Sequence, residues 1–253
     1  MKRIDLNSDM GEMPEAIADG TQESIMRSLT SVSIACGGHA GDENTMQATI
    51  DQALRHKIAI GAHPSYPDRA NFGRLEMNLS PEAISDSVFE QTKRLAQIAA
   101  RSGAHVVHVK AHGALYNQAA RDSTIAEALA RGVARWSRDV VLLGLAGSSM
   151  LDVFRTEGFR VAAEAFADRR YEPDGSLRSR KFAGAVISDP AQAAQQALRI
   201  AEQGSVLAHD GSKVAVTAQT ICIHSDTPGA PEIAAAVAAA LRQAGIALLP
   251  VSG

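Results

Sequence analysis

The sequence predicts an α/β fold, a (β/α) barrel of seven or eight strands that is closed or slightly irregular. Three observations carry this reading. Short β-type runs alternate with longer segments of helical periodicity, the mark of a parallel sheet with crossover helices. The chain has 253 residues, about the length at which eight such units close one barrel. The turn after the first strand run, Asn7-Ser8-Asp9-Met10-Gly11-Glu12, is acidic, whereas an open doubly wound sheet holding a nucleotide wants a glycine-rich phosphate turn there.

The elements follow in order. Strands are predicted at residues 3–7, 32–35, 58–61, 105–110, 140–145, 160–163, 220–224 and 246–249. Helices are predicted at 43–56, 81–102, 123–137, 190–203 and 231–244, where apolar residues recur every three or four positions. Ser80-Pro81 and Asp189-Pro190 put proline at the first helical position, and Gly103 and Gly245 lie just past helix ends. The polar stretch 168–181 reads as a long loop. No linker or composition break divides the chain, so one domain over residues 1–253 is expected.

Hydrophobic residues make up 45% and charged residues 21%, which excludes a disordered, collagen-like or coiled-coil chain. A formal net charge of −3 supplies no overall positive field for a phosphate backbone, so nucleic acid is not an expected partner. No apolar run approaches the ~18 residues a membrane helix needs, and no signal-like stretch follows Met1-Lys2-Arg3. A cytoplasmic protein with no membrane partner is expected. Cys36 and Cys222 each follow an apolar run and read as reduced thiols. Neither a phosphate-loop pattern nor a Gly-x-Ser-x-Gly elbow occurs.

In barrels of this kind chemistry gathers where strands end, because those loops converge on one rim. The strand ends here are rich in titratable groups. The first is followed by Asn7, Asp9 and Glu12, the second by Cys36 to Asp42 with His39, and the third by His63 to Asp68. The fourth carries Lys110 and His112, the sixth Glu164 with Asp168 and Arg169, and the seventh His224 and Asp226. Any one of these is ordinary alone: Asp9 and Glu12 could serve a helix N-terminus, and Asp42 could cap the helix opening at Glu43. Convergence is the signal. Alternation places His108, Lys110 and His112 on one strand face, the interior of a barrel. A lysine there needs a carboxylate or an anion beside it, or its pKa falls. His56, His105 and His209 read as surface residues, and the basic cluster at 169–181 as largely a solvated face. The Asp and His residues suit a hydrolytic metal site, yet they lie on separate loops without a local ligand spacing, so metal content stays open. The set as a whole suits hydrolysis or activation of a small polar carbonyl compound.

These residues also carry a family resemblance. The runs Asp5 to Glu12, Ile34 to Asp42, Gly61 to Asp68 with Phe72-Gly73-Arg74, Val109 to Asn117, and Glu164 to Arg169 with Tyr171 resemble the LamB/YcsF family in the same order. The resemblance spans almost the whole chain. It implies a barrel of glycoside hydrolase/deacetylase type, whose deacetylase members hold a metal with Asp and His. It also implies the 5-oxoprolinase reaction, in which the A subunit, with subunits B and C, opens 5-oxo-L-proline to L-glutamate while ATP, a co-substrate, is hydrolysed to ADP and phosphate. Carried onto this sequence, the catalytic set is Asp9, His39, His63, Lys110 and His112. The substrate-binding set is Asn7, Glu12, Arg74, Tyr116, Asn117, Glu164, Asp168, Arg169 and His224. Within these roles Asp9 and His63 would position or activate water, Lys110 and Arg74 would steady negative charge or the substrate carboxylate, and His39 and His112 would move protons. Ser8, Ala111 and Ser225 depart from the family pattern at positions between the polar residues, which bears on loop geometry and substrate choice. Two other readings suit the same residues: a stand-alone metal-dependent hydrolase or deacetylase acting on a small amide or carbohydrate, and a non-catalytic subunit that binds a small carboxylate.

Overall fold

Seven parallel strands close a barrel in the computed structural model, which describes residues 2–251. The chain begins with β1 (Arg3–Met10), α1 (Pro14–Ala18), α2 (Thr21–Met26), β2 (Ser31–Ala35), α3 (Glu43–His56), β3 (Ala59–His63), α4 (Pro81–Arg101) and β4 (Val106–Lys110). Next come α5 (Gly113–Ala119), α6 (Ser123–Ala134), β5 (Val141–Leu145), α7 (Met150–Thr156), β6 (Arg160–Phe166) and α8 (Pro190–Gln203). The chain continues through β7 (Ser205–Leu207), β8 (Lys213–Ala215), β9 (Thr220–Cys222), α9 (Ala230–Gln243) and β10 (Ala247–Leu248). The barrel order is β1-β2-β3-β4-β5-β6-β9, and β9 returns to β1 with Asp5 opposite Thr220 and Asn7 opposite Cys222.

The strand predicted at 246–249 is not an eighth stave. Among the described residues β10 pairs only with Arg3 and Ile4, because β9 already occupies the edge of β1 at Asp5, Leu6 and Asn7. β1 itself runs to Met10, three residues past its predicted end, so Asp9 stands on the strand and not in a turn. The short helices α1, α2, α5 and α7 and the antiparallel β7–β8 hairpin outside the barrel had no periodic signal, since five to seven residues complete at most two helical turns. The predicted loop extends to Asp189 and is pinned by isolated bridges from Arg169 to Val186 and from Tyr171 to Leu177 and Ala208. Among the described residues no helix is long and apolar enough to cross a membrane.

Alternation sorts the strands into two faces. Leu6, Met10, Val32, Ile34, Ile60, Ala62 and Val109 join Met46, Ile50, Ile84, Val88 and Leu95 of the surrounding helices in the main apolar core. Asp5, Asn7 and Asp9 lie on the other face of β1 and meet the polar groups that β2, β4, β6 and β9 send inward. At the base of the barrel the Asp5 carboxylate accepts hydroxyl bonds from Thr30 (2.6 Å), Ser31 (2.9 Å) and Thr220 (2.5 Å). Higher up, Ser33 Oγ meets His108 Nε2 at 3.2 Å. The imidazole fills the space of a missing side chain: a Cβ on Gly61 would sit 2.0 Å from His108 Nε2. Asp42 proves to be a helix cap, with its Oδ1 accepting from Thr45 N and Thr45 Oγ1 accepting from Asp42 N.

Candidate active site

The C-terminal ends of the strands open into a cleft of about 1070 Å³. Ten of the fourteen residues expected at the site line it: Asp9, Glu12, His63, Arg74, Lys110, His112, Tyr116, Asn117, Arg169 and His224. Asn7, Glu164 and Asp168 are fully buried behind this lining, and His39 faces a small hollow on the far side of Glu12. Each of the four touches a residue of the lining: Asn7 and Glu164 meet Lys110, Asp168 meets His224, and His39 meets Glu12.

Lys110 is the centre of the floor. Its Nζ donates to Asp9 Oδ1 at 2.9 Å and lies 2.8 Å from Glu164 Oε1, with Asn7 Oδ1 at 3.4 Å and Cys222 Sγ at 3.2 Å. Asn7 Nδ2 donates to Glu164 Oε1 (3.0 Å) and to Thr220 Oγ1 (2.7 Å), which ties the carboxylate to β1 and β9. Burial alone would depress the lysine, but the charges around it, Asp9 foremost and Glu164 with it, hold its pKa well above the usual lysine range. The ammonium is therefore a fixed cation. Asp9 is the converse case: burial pushes its carboxyl up, and His63 and Lys110 hold it well below the usual carboxylate range. Burial keeps the Cys36 thiol up at about 12 and raises Cys222 well above its usual value, so neither is a ready nucleophile.

Beside this pair three histidines meet Glu12. Its Oε1 lies 2.9 Å from His39 Nε2, 3.2 Å from His112 Nδ1 and 3.8 Å from His63 Nε2. His63 Nε2 is 3.0 Å from His112 Nδ1 and 3.4 Å from Asp9 Oδ2. Against the upward push of burial, the imidazoles of His112 and His39 hold the Glu12 carboxyl well below the ordinary range. Burial lowers His39 to about 4, so it is neutral. His39 and His112 stack in parallel with centroids 3.6 Å apart. The far nitrogens of the two histidines facing the cleft are held by backbone carbonyls, His63 Nδ1 by Lys110 O at 2.8 Å and His112 Nε2 by Phe72 O at 2.9 Å. Phe72 adopts φ 55°, a left-handed conformation that costs a non-glycine residue about 1 kcal/mol or more. The loop accepts that strain where its carbonyl meets His112. Sequence reading missed this contact, because a backbone oxygen leaves no trace in side-chain chemistry.

Farther up the wall, Asp168 orients His224: its carboxylate accepts from His224 N (2.9 Å) and Thr227 Oγ1 (2.6 Å) and meets His224 Nδ1 at 3.0 Å. Arg169 is buried at the cleft wall and spends its donors on backbone carbonyls, Nη2 on Arg178 O at 2.6 Å and Nε on Ala185 O at 3.4 Å. It forms no ion pair with a carboxylate among the described residues. Burial lowers its pKa to about 10, which leaves it cationic at neutral pH. Arg74 and Arg180 both hold Asp226 across the mouth. These are partly exposed pairs that contribute little stability.

The molecule is thus a closed (β/α) barrel that gathers a buried lysine, anionic carboxylates and clustered imidazoles at its strand ends. The fold of the family 4 carbohydrate esterase from Streptomyces lividans superposes at a TM-score of 0.52 with 12% identity over 99% of this chain and 93% of the esterase, a likeness of fold alone. The LamB/YcsF family profile matches residues 4–253, and the chain belongs to that family. It is 48% identical over 246 residues to the A subunit of 5-oxoprolinase from Chloroflexus aggregans, covering 97% of this chain and 98% of the relative. It is 47% identical over 245 residues to the corresponding 5-oxoprolinase chain of Bordetella pertussis, covering 97% of each. The crystal structure of the lactam utilization protein from Thermus thermophilus superposes at a TM-score of 0.90 with 41% identity, covering 98% of this chain and 99% of that one.

Proposed function

We propose that this chain opens the lactam of 5-oxo-L-proline to L-glutamate as the A subunit of an ATP-hydrolysing 5-oxoprolinase, working with subunits B and C. The observation that carries the reading is Lys110 held between Asp9 and Glu164 at the floor of the cleft, in a chain nearly half identical along its length to relatives named for that subunit. A five-membered lactam is a poor electrophile. Transfer of the ATP γ-phosphoryl group to its carbonyl oxygen makes the ring carbon attackable; water then adds, the C–N bond breaks and the nitrogen leaves as the amine. A second water releases phosphate from the resulting acyl phosphate.

In this reading Asp9, anionic and lining the cleft, takes the proton of the attacking water, and Lys110 balances the negative charge that develops on oxygen. Arg169, a buried cation that forms no ion pair with a carboxylate among the described residues, takes the substrate carboxylate. Asn7 and Glu164 position Lys110, and Asp168 positions His224. His39, which lies behind Glu12, acts only through that carboxylate and not as a proton carrier in the cleft.

The test mixes the purified chain with B and C subunits, ATP and 5-oxoproline, and follows glutamate and phosphate together. The expected result is equimolar release that needs all three subunits and falls about 100-fold or more in Asp9→Asn. Near-normal turnover by that variant overturns the assigned site. Ring opening by the chain alone without ATP would instead identify a stand-alone hydrolase. Retained substrate affinity with unaltered turnover in every cleft variant would identify a non-catalytic binding subunit.

A further inference from the structure

We propose that Glu12 Oε1, His63 Nε2 and His112 Nδ1 hold a divalent transition-metal ion at the floor of the cleft, with His39 positioning Glu12 from behind. The argument starts from where the ring hydrogens are. A carbonyl oxygen only accepts, so His63 Nδ1, facing Lys110 O, and His112 Nε2, facing Phe72 O, carry the hydrogens. With both rings neutral, the remaining nitrogens, His63 Nε2 and His112 Nδ1, point lone pairs at each other across 3.0 Å, and His63 Nε2 also faces Asp9 Oδ2 at 3.4 Å. An anionic carboxylate oxygen stands 3.2 Å from one and 3.8 Å from the other. Three electron-pair donors converge on one point, and a cation belongs there. A proton serves one of these contacts, whereas a metal ion serves all three.

The spacing fits. Tetrahedral zinc with bonds of about 2.0–2.2 Å has its donor atoms about 3.3–3.6 Å apart, and the three observed separations straddle that range. Carbonyls that fix the far imidazole nitrogens are the usual outer shell of such a site. The donor atoms of Glu12, His39, His63 and His112 all lie within 4.8 Å of one another, yet His39 is not a ligand in this assignment. Its ring is parallel to that of His112, with centroids 3.6 Å apart, and two such rings cannot both hold one ion in their planes. His39 also faces away from the cleft, while Glu12, His63 and His112 line it. Three protein ligands and an open side toward the cleft form a site of catalytic and not structural type. When bound there, such an ion acidifies a coordinated water and polarises a carbonyl oxygen. The neighbouring donor group, Asp9, Cys222 and His224, carries no such inference, because the Lys110 ammonium already lies 2.9 Å from Asp9 and 3.2 Å from Cys222.

The experiment uses the full chain, free of any affinity tag, stripped with chelator and titrated with zinc alone in a calorimeter. No substrate, ATP or partner is present, so its outcome is separate from that of the lactam reading. The expected result is one equivalent bound, with affinity reduced at least 100-fold in His63→Ala and in His112→Ala and about 10-fold in His39→Gln. Cobalt loaded in place of zinc should give the visible bands of a low-coordinate N/O site in the wild type, which decides the matter even where a variant fails to fold. A wild-type chain that binds no zinc and gives no cobalt bands, or folded His63 and His112 variants that bind as the wild type does, would overturn the proposal and leave a proton at the centre. A loss in His39→Gln as large as in His63→Ala would overturn the role given to His39.

Discussion

Replacing Lys110 with methionine removes one cation from between two buried carboxylates and keeps most of the side-chain volume. Asp9 retains His63 at 3.4 Å, but Glu164, fully buried, keeps no cation and is left with neutral neighbours, the amide of Asn7 at 3.0 Å and the Tyr116 hydroxyl. Removing one partner of a buried pair costs about 3–5 kcal/mol, a large share of the roughly 5–15 kcal/mol of a folded domain. With a urea slope near 3 kcal/mol per M, that loss lowers the unfolding midpoint by about 1–1.7 M. A second substitution, Glu164→Gln, made on the Lys110→Met background, removes the stranded charge and should recover about half of the loss. Turnover of the reconstituted complex should stay abolished in both variants, because the ammonium beside Asp9 that balances the charge developing on oxygen is gone from both. Urea titrations of the four proteins in the cycle, with glutamate release as the companion assay, measure both effects. A loss below about 1 kcal/mol in Lys110→Met, or turnover regained in the double variant, would refute the charge argument.

Arg169→Ala should raise KM for 5-oxoproline about 10- to 100-fold with a smaller change in kcat, the size of one charge-assisted hydrogen bond of about 1.5–3 kcal/mol; an unchanged KM rules out the carboxylate contact. Asp5 yields a pH prediction. Burial, against three hydroxyl donors, raises its carboxyl to about 6, above about 3.9 in an unfolded chain. The folded state thus holds the proton more tightly, and this contribution to stability is complete below about pH 4 and lost as pH rises through about 6. The stability of wild type relative to Asp5→Asn should therefore fall by about 2 kcal/mol between pH 4 and pH 7, and a difference independent of pH contradicts the assignment. Gly61→Ala drives a methyl group into His108 and should destabilise the chain by about 1–3 kcal/mol. Adding His108→Ala should relieve that strain, and additive losses in a urea titration would show that the two residues do not compete for the same space.

Much of this molecule is legible one segment at a time. The alternation of β4 placed Lys110 and His112 on the inner face, and the requirement that an interior lysine find a carboxylate is met by Asp9 and Glu164. The long helices announced themselves by periodicity and by their proline starts, and Asp42 by its place before Glu43. Short helices were silent because a turn or two holds no repeat. Asn7, Glu164 and Asp168 read from sequence as substrate contacts, since a polar residue at a strand end looks the same whether it faces the cleft or stands one layer behind it.

The order of polar residues at strand ends, and with it the family and the barrel class, is written in the sequence, because side-chain alternation and turn chemistry act over a few residues. Whether the barrel has seven or eight staves was decided only when Thr220 met Asp5 across 215 positions and left β10 two residues of β1 to pair with. The electronic character of the site was decided there too. Which nitrogen of His63 and of His112 carries a hydrogen depends on carbonyls delivered by β4 and by the loop at Phe72, and no local pattern places those oxygens.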